Sequence, residues 1–423
     1  MQVVLVIKLA LVGLALLACA SAFGDAGGNS GFDFQLGYPL SVESGSRTAI
    51  GLTTVLFESV NSSIKWLNWD NVFVRVGNVL GLQLLIGASL YGTIPHEFFG
   101  HYAATLNAHM APTVFDLNFP LPGGHTEYYT TYAQTSAESR AVISAAGPEV
   151  SENTAYEATK IIYSGKPFPT YIGNYLLGAK IVDGIVYLGN SLDSFLKDPG
   201  HYDKSDYWSD PFQYGLAIAE KYGYYSALNL DNQVWPYQPS DPGVYVNQFL
   251  KDLNRRMWIA YTLQLIDPAL IYFIYGNYQY IVNGDTRINS FMFEAGPVQF
   301  MPSIRANLGL IGPENYFDLF LIVNRELPMN VYFRIGGNML ESIYGFGLEI
   351  RKIRFLGFED SFQLDFWKAD RSELGFNVYT EITYLWTDFF NPSLSVGYKT
   401  YGNVMGKPIS GGIYGYLGFK VYL

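Results

Sequence analysis

Cysteine is all but absent: Cys19 is the one example in 423 residues, so no structural disulfide can form within one chain. Charge is also scarce, at 15% of residues against roughly 25% in soluble domains. The net charge of −11 provides no basic footprint, which argues against nucleic acid as a partner. Histidine occurs five times in all. Two of the five stand close together, beside a carboxylate, in an otherwise apolar run, Ile94-Pro95-His96-Glu97-Phe98-Phe99-Gly100-His101-Tyr102-Ala103-Ala104.

Neutral imidazoles are good zinc ligands, and a glutamate directly after the first is placed to take a proton from a water that the metal activates. The familiar helical form of this chemistry spaces its histidines at i and i+4. Here the spacing is i and i+5, which on a regular helix turns the second imidazole about 140° away from the first. Both can reach one ion only if a π-bulge absorbs a residue, and Gly100 is a suitable place. The alternative is an apolar helix whose histidines make hydrogen bonds only.

The chain begins with Lys8, an apolar run over 9–18 and Ala20-Ser21-Ala22. This reads as a bacterial-type secretory signal over 1–22, cleaved after Ala22. A second possibility is acylation at Cys19 within Leu16-Leu17-Ala18-Cys19, which resembles a lipoprotein signal. A Gly-rich leader follows, Gly24 to Gly31, and then two candidate strands over 32–40 and 48–57.

The middle, 76–290, reads as helical. An apolar helix over 76–106 delivers the histidine motif. A turn or short edge strand covers Phe119-Pro120-Leu121-Pro122-Gly123-Gly124-His125. Ser136 is the expected N-cap of a new helix, whose small residues around Ala145-Ala146-Gly147 would let it lie close to the histidine helix. Asp183 then sits among aliphatics, where a carboxylate is costly unless paired, hydrogen-bonded or metal-bound. The Asp198–Asp206 stretch, with His201, is a further oxygen-rich candidate or else a solvated turn. Pro268 should kink the apolar run over 257–274.

From about 296 the texture changes to period-two alternation, repeated in eight segments: 298–310, 316–323, 329–336, 342–350, 360–368, 374–386, 392–400 and 411–423. The composition, with 34 Tyr and 43 Gly, favours strands at a membrane interface. The last segment, aromatic and amphipathic, resembles the terminal strand of bacterial outer-membrane barrels. Strands in lipid must close to pair their edges, so the expectation is an α+β chain in which a helical domain precedes an antiparallel barrel of about eight strands. The alternative is a periplasmic sandwich or soluble barrel.

Glu97 with Gly100-His101, then Pro122-Gly123-Gly124, Ala146-Gly147-Pro148 and Asp183-Gly184 follow one another in an order that resembles the site-2 protease family of intramembrane zinc peptidases, over about residues 85–190. The H-E-x-x-G-H spacing itself resembles dipeptidyl peptidase III. The first resemblance implies Zn²⁺ held by His96, His101 and Asp183, with Glu97 as general base acting on a peptide or protein substrate. The second implies Glu138, in Glu138-Ser139-Arg140-Ala141, as third ligand. The competing expectation is a non-enzymatic outer-membrane barrel whose helical part is a plug, scaffold or partner-binding module.

Overall fold

The computed structural model describes residues 31–37, 42–108, 111–117, 124–129, 136–197, 209–224, 244–387, 390–407 and 411–422. The signal at 1–22, nearly all of the leader, the turn at 119–123 and the Asp198–Asp206 stretch lie outside them.

The chain is α+β. A short strand β1 (Gly31–Gly37) precedes helix α1 (Val42–Trp66) and a long helix α2 (Val72–Asn107). A hairpin follows, β2 (Ala111–Leu117) with β3 (Gly124–Tyr129), and then helix α3 (Ala137–Ile162). Helix α4 is built of three consecutive pieces, Ile172–Leu176, Leu177–Val186 and Tyr187–Asn190. A short helical turn at Leu192–Leu196 precedes helices α5 (Asp210–Lys221), α6 (Val244–Leu263) and α7 (Ile271–Tyr278). The strands are β4 (Phe293–Ala295), β5 (Val298–Leu308), β6 (Pro313–Val323), β7 (Leu327–Gly337), β8 (Ser342–Phe355), β9 (Phe358–Ala369), β10 (Gly375–Tyr384), β11 (Phe390–Lys399) and β12 (Gly412–Tyr422).

All eight expected C-terminal strands are present, but the expected barrel is not. The sheet is an open antiparallel meander in the order β1-β12-β11-β10-β9-β8-β7-β6-β5-β4. Alternation determines which residues share a face, whereas closure depends on stagger and on whether the two edges meet. Here the edges are β1, from the far end of the sequence, and the three-residue β4. Of the strand expected at 32–40, the described part lies in β1, which ends at Gly37 and joins the sheet through β12. The strand expected at 48–57 does not form. Those residues belong to α1, because Ile50, Thr53, Thr54, Phe57, Asn61 and Ile64 fall on one helical face and bury together. The β-branched run Thr53-Thr54-Val55 suggests a strand locally, and packing overrides that preference.

The sheet buries its polar face and exposes its apolar one. Phe317, Leu319, Phe333, Ile335, Phe346, Leu394 and Val396 are 39–48% exposed, while Glu314, Asp318, Asn330 and Arg334 on the alternate positions are nearly inaccessible. The helices supply the partners of that inner face. Glu349 accepts hydrogen bonds from Tyr156 (2.5 Å) and Lys160 (3.1 Å) of α3, and Arg47 of α1 pairs with Glu381. Within the sheet, the Arg305 guanidinium donates two bonds of 2.7 Å to Asp318 and lies 3.7 Å from the Tyr156 ring centroid. A buried ion pair adds little net stability over an apolar pair, but it penalises any register that leaves one charge unmatched. This lattice thereby sets how helices and sheet align.

Helix α2 covers the expected 76–106 span and is long and apolar enough to cross a membrane. The run containing Pro268 bends by 57° between Gln248–Ile266 and Pro268–Asn283, as a proline without a backbone donor requires.

Candidate metal centre

The segment Pro95–Tyr102 is a π-helix inside α2. Its i→i+5 bonding brings residues five apart onto one face, so His96 and His101 turn the same way. The same geometry already runs upstream through Asn78–Ile86 and Ala88–Thr93. Helix α3 approaches closely at Gly100. A Cβ on Gly100 would lie 2.7 Å from Gly147 Cα and 2.8 Å from the Ala146 carbonyl oxygen. Helix α3 starts as expected, with Ser136 Oγ accepting from the Ser139 N–H. Ala146-Gly147-Pro148 lies inside this helix.

The two imidazoles meet with Nε2 3.1 Å from Nε2. Each outward nitrogen has an acceptor. His101 Nδ1 lies 2.7 Å from the Ile143 carbonyl of α3, and His96 Nδ1 lies 3.1 Å from Asp183 Oδ2 of α4. With each Nδ1 turned to an acceptor, the two Nε2 atoms face one another in a buried place that suits a cation or a proton between them. Asp210 Oδ2, on the first turn of α5, stands 2.8 Å from His101 Nε2 and 3.3 Å from His96 Nε2. Donor atoms around a tetrahedral zinc with bonds near 2.0–2.1 Å are roughly 3.3 Å apart. Three atoms at 2.8, 3.1 and 3.3 Å fit such an ion closely.

The space they enclose exists because position 147 is glycine. A Cβ there would stand 2.5 Å from His101 Nε2 and closer still to His96 Nε2. Burial by itself would raise the Asp210 carboxyl, but positive charge carried by the rings of His101 and His96, with their hydrogen bonds, outweighs it and holds the group below the ordinary carboxylate range. Tyr187 donates to Asp210 Oδ2 at 2.7 Å. Its phenol keeps its proton because burial and the Asp210 charge both push its pKa up.

Glu97 is buried, and its charge is felt by both imidazoles. Thr126 of β3 donates to Glu97 Oε2 at 2.9 Å, and the neighbouring Gly124 would place a Cβ 3.2 Å from Glu97 Cγ. The hairpin is thus seated directly on the glutamate.

His96, Glu97, His101 and Asp183 all reach this centre, but Asp183 does not occupy the ligand position expected of it. It stands behind His96, on the nitrogen that faces away from Asp210. Glu138 is committed elsewhere, 2.8 Å from Lys221 Nζ and accepting from Tyr401 at 2.5 Å. The carboxylate that completes the group is Asp210, which the sequence reading did not single out. Its signal was Ser209-Asp210-Pro211 before an apolar helix, a helix-start pattern that places a carboxylate at the positive end of the helix. Nothing local to that pattern connects it with His96, 114 positions away.

No family model matches the chain, and no curated protein or solved structure is similar to it.

Proposed function

We propose that the protein is a zinc-dependent peptidase of the bacterial envelope, with His96, His101 and Asp210 holding the metal and Glu97 as general base. The observation that carries this reading is the pair of Nε2 atoms facing each other at 3.1 Å with both Nδ1 atoms engaged by acceptors. Lone pairs so placed repel unless a cation or a proton lies between them, and a ring-ring-carboxylate donor set suits zinc.

Zinc bound there would supply Lewis-acid chemistry, acidifying a water and stabilising charge on the scissile carbonyl. The rest is the work of the chain. Glu97 accepts the proton from the attacking water and returns it to the leaving amine. Thr126 holds the Glu97 carboxylate in place, Asp183 and the Ile143 carbonyl fix the two imidazole tautomers, and Tyr187 orients Asp210. Among the described residues β3 pairs only with β2. An extended peptide that paired with its other edge would lie beside the glutamate, and this favours a peptide over other hydrolysable substrates.

The location we propose is a membrane, the outer membrane being the one suited to strands of this composition. The apolar outer face of the sheet and the exposed side of α2, with Leu80 and Leu85, would face lipid, and the charged lattice would stay inside, as in membrane barrels. At one edge β4 covers only Val298–Phe300 of β5, and farther along Lys180 and Asp267 side chains meet the Ile304 backbone.

The deciding experiment is metal analysis of protein purified without added metal, for the wild type and His96→Ala/His101→Ala. About one zinc per chain that disappears in the double variant, with peptide hydrolysis lost in Glu97→Gln, supports the reading. A folded wild type that neither carries nor takes up zinc overturns it and leaves a helix-plugged sheet that binds a partner without catalysis.

A further inference from the structure

A cavity of about 260 Å³ lies between the first half of α1, the C-terminal end of α3 and the inner face of β8–β10 and β12. Gly147, where α3 meets the histidines, is thirteen residues from Lys160 at the cavity, or about 20 Å along the helix axis. The two places are therefore distinct. Eight Lys and Arg and four Glu line the cavity. In a chain of net charge −11 with 26 basic residues in all, nearly a third of the cations face one space.

An internal ion-pair lattice accounts for only part of this. Arg47, Lys160, Arg351, Arg354 and Lys420 each have a glutamate within ion-pair distance. Lys166, Arg287 and Lys352 have none among the described residues. Arg351 also keeps a buried Nη2 with no hydrogen-bond partner. Burial disfavours the charged Lys352 ammonium most, Arg351, Lys166 and Lys420 repel it, and Glu359 attracts it.

The backbone is bent to produce this crowding. Register slips between Ile350 and Ile353 on β8, and Lys352 takes φ +60°, a left-handed conformation that lysine disfavours. In a regular strand residues 351 and 352 would point to opposite faces. The bulge turns both toward the cavity, as bulges beside binding sites do. Placing a strained lysine among like charges lowers stability unless something negative shares the space.

We propose that this cavity binds a phosphate-bearing anion. A single carboxylate would leave most of the surplus charge uncompensated, whereas a phosphate offers several acceptor oxygens and up to two charges to guanidinium and ammonium donors. Lys166 stands exposed at the mouth, where a ligand would enter, and Ile50, Ile161 and Ile172 give the cavity an apolar wall. The phosphate belongs either to a soluble species or to a lipid headgroup.

Full-length protein in a neutral detergent distinguishes these. Inorganic phosphate is titrated at constant ionic strength and followed by calorimetry and by thermal unfolding. In parallel, mixed micelles containing phosphatidylglycerol are compared with pure detergent. Saturable binding of phosphate, weakened at least tenfold in Arg351→Gln/Lys352→Gln with zinc content unchanged, supports a soluble ligand. Binding only to the phosphatidylglycerol micelles, lost in the same variant, supports a headgroup. Should that variant fail to fold, Lys166→Gln at the mouth is the substitute, with Lys251→Gln, an exposed lysine of α6, as the control. Absence of both signals in folded wild type, or equal binding by wild type and variant, overturns the proposal.

Discussion

Asp183 Oδ2 lies 3.1 Å from Nδ1 of His96, on the opposite side of the ring from Asp210. This divides two carboxylates into different tasks. One completes the donor group, and the other fixes the tautomer that makes His96 a donor. Asp210→Ala should therefore abolish stoichiometric zinc, whereas Asp183→Ala should retain a site weakened by about 10–100-fold. Equilibrium competition with a chelator measures both. If Asp183→Ala proves the more damaging, the assignment is reversed.

Glu97→Gln keeps the shape and the acceptor oxygen that Thr126 binds but loses the basic carboxylate. Zinc content should stay near wild type, while turnover of a peptide substrate falls by about 10²–10⁴-fold, the usual contribution of a general base. Thr126→Val should have a smaller effect in the same direction, visible in turnover and absent from metal content.

Gly147→Ala tests the space between the rings. In an ordinary helix interior glycine to alanine gains roughly 1 kcal/mol, and here the added methyl would enter the volume between the two Nε2 atoms. The expected result is a folded protein, by circular dichroism and thermal unfolding, that no longer retains zinc. A variant that binds zinc as tightly as wild type would show that the ion sits elsewhere.

Removing metal should lower the unfolding temperature, since a ligand bound only by the folded state stabilises by RT ln(1 + [L]/Kd), about 4 kcal/mol at a thousandfold excess over Kd. The scan is run before and after chelation and again after zinc is restored. The shift should vanish in Asp210→Ala.

Val396→Lys addresses the outer face of the sheet. On a surface bathed by water such a change is worth within about 0.5 kcal/mol; in the middle of a bilayer it costs about 2–4 kcal/mol. Unfolding in lipid vesicles, with the exposed Lys368→Arg as control, separates the two. By contrast, Arg305→Ala should be damaging in any medium, by about 3–5 kcal/mol, because it leaves the wholly buried Asp318 unpaired.

Much of this organisation is legible along the chain. The eight alternating segments became eight strands, because period two has one structural meaning and each segment carries it alone. Ser136 caps its helix, and the spacing of His96 and His101 required the π-turn that Pro95–Tyr102 adopts. Where a reading depended on a partner distant in sequence, it failed or stayed open. Thr48–Phe57 has the residues of a strand, but packing against α3 made it helix. Asp183 and Asp210 are both isolated carboxylates near apolar helices, and nothing within either neighbourhood indicates which will meet the two Nε2 atoms and which will stand behind His96.

The sequence by itself determined the local elements, the pair of imidazoles with their adjacent glutamate, and the alternation that sorts each strand into two faces, because all three are set by residues within about one helical turn or strand. Only the tertiary structure decided that the sheet stays open, that its polar face turns inward, and that Asp210 meets the histidines while Asp183 stands behind them. Those outcomes rest on the close approach of α3 at Gly147 and on charge pairs between helices and strands, and both arise from contacts that form only when distant parts of the chain pack together.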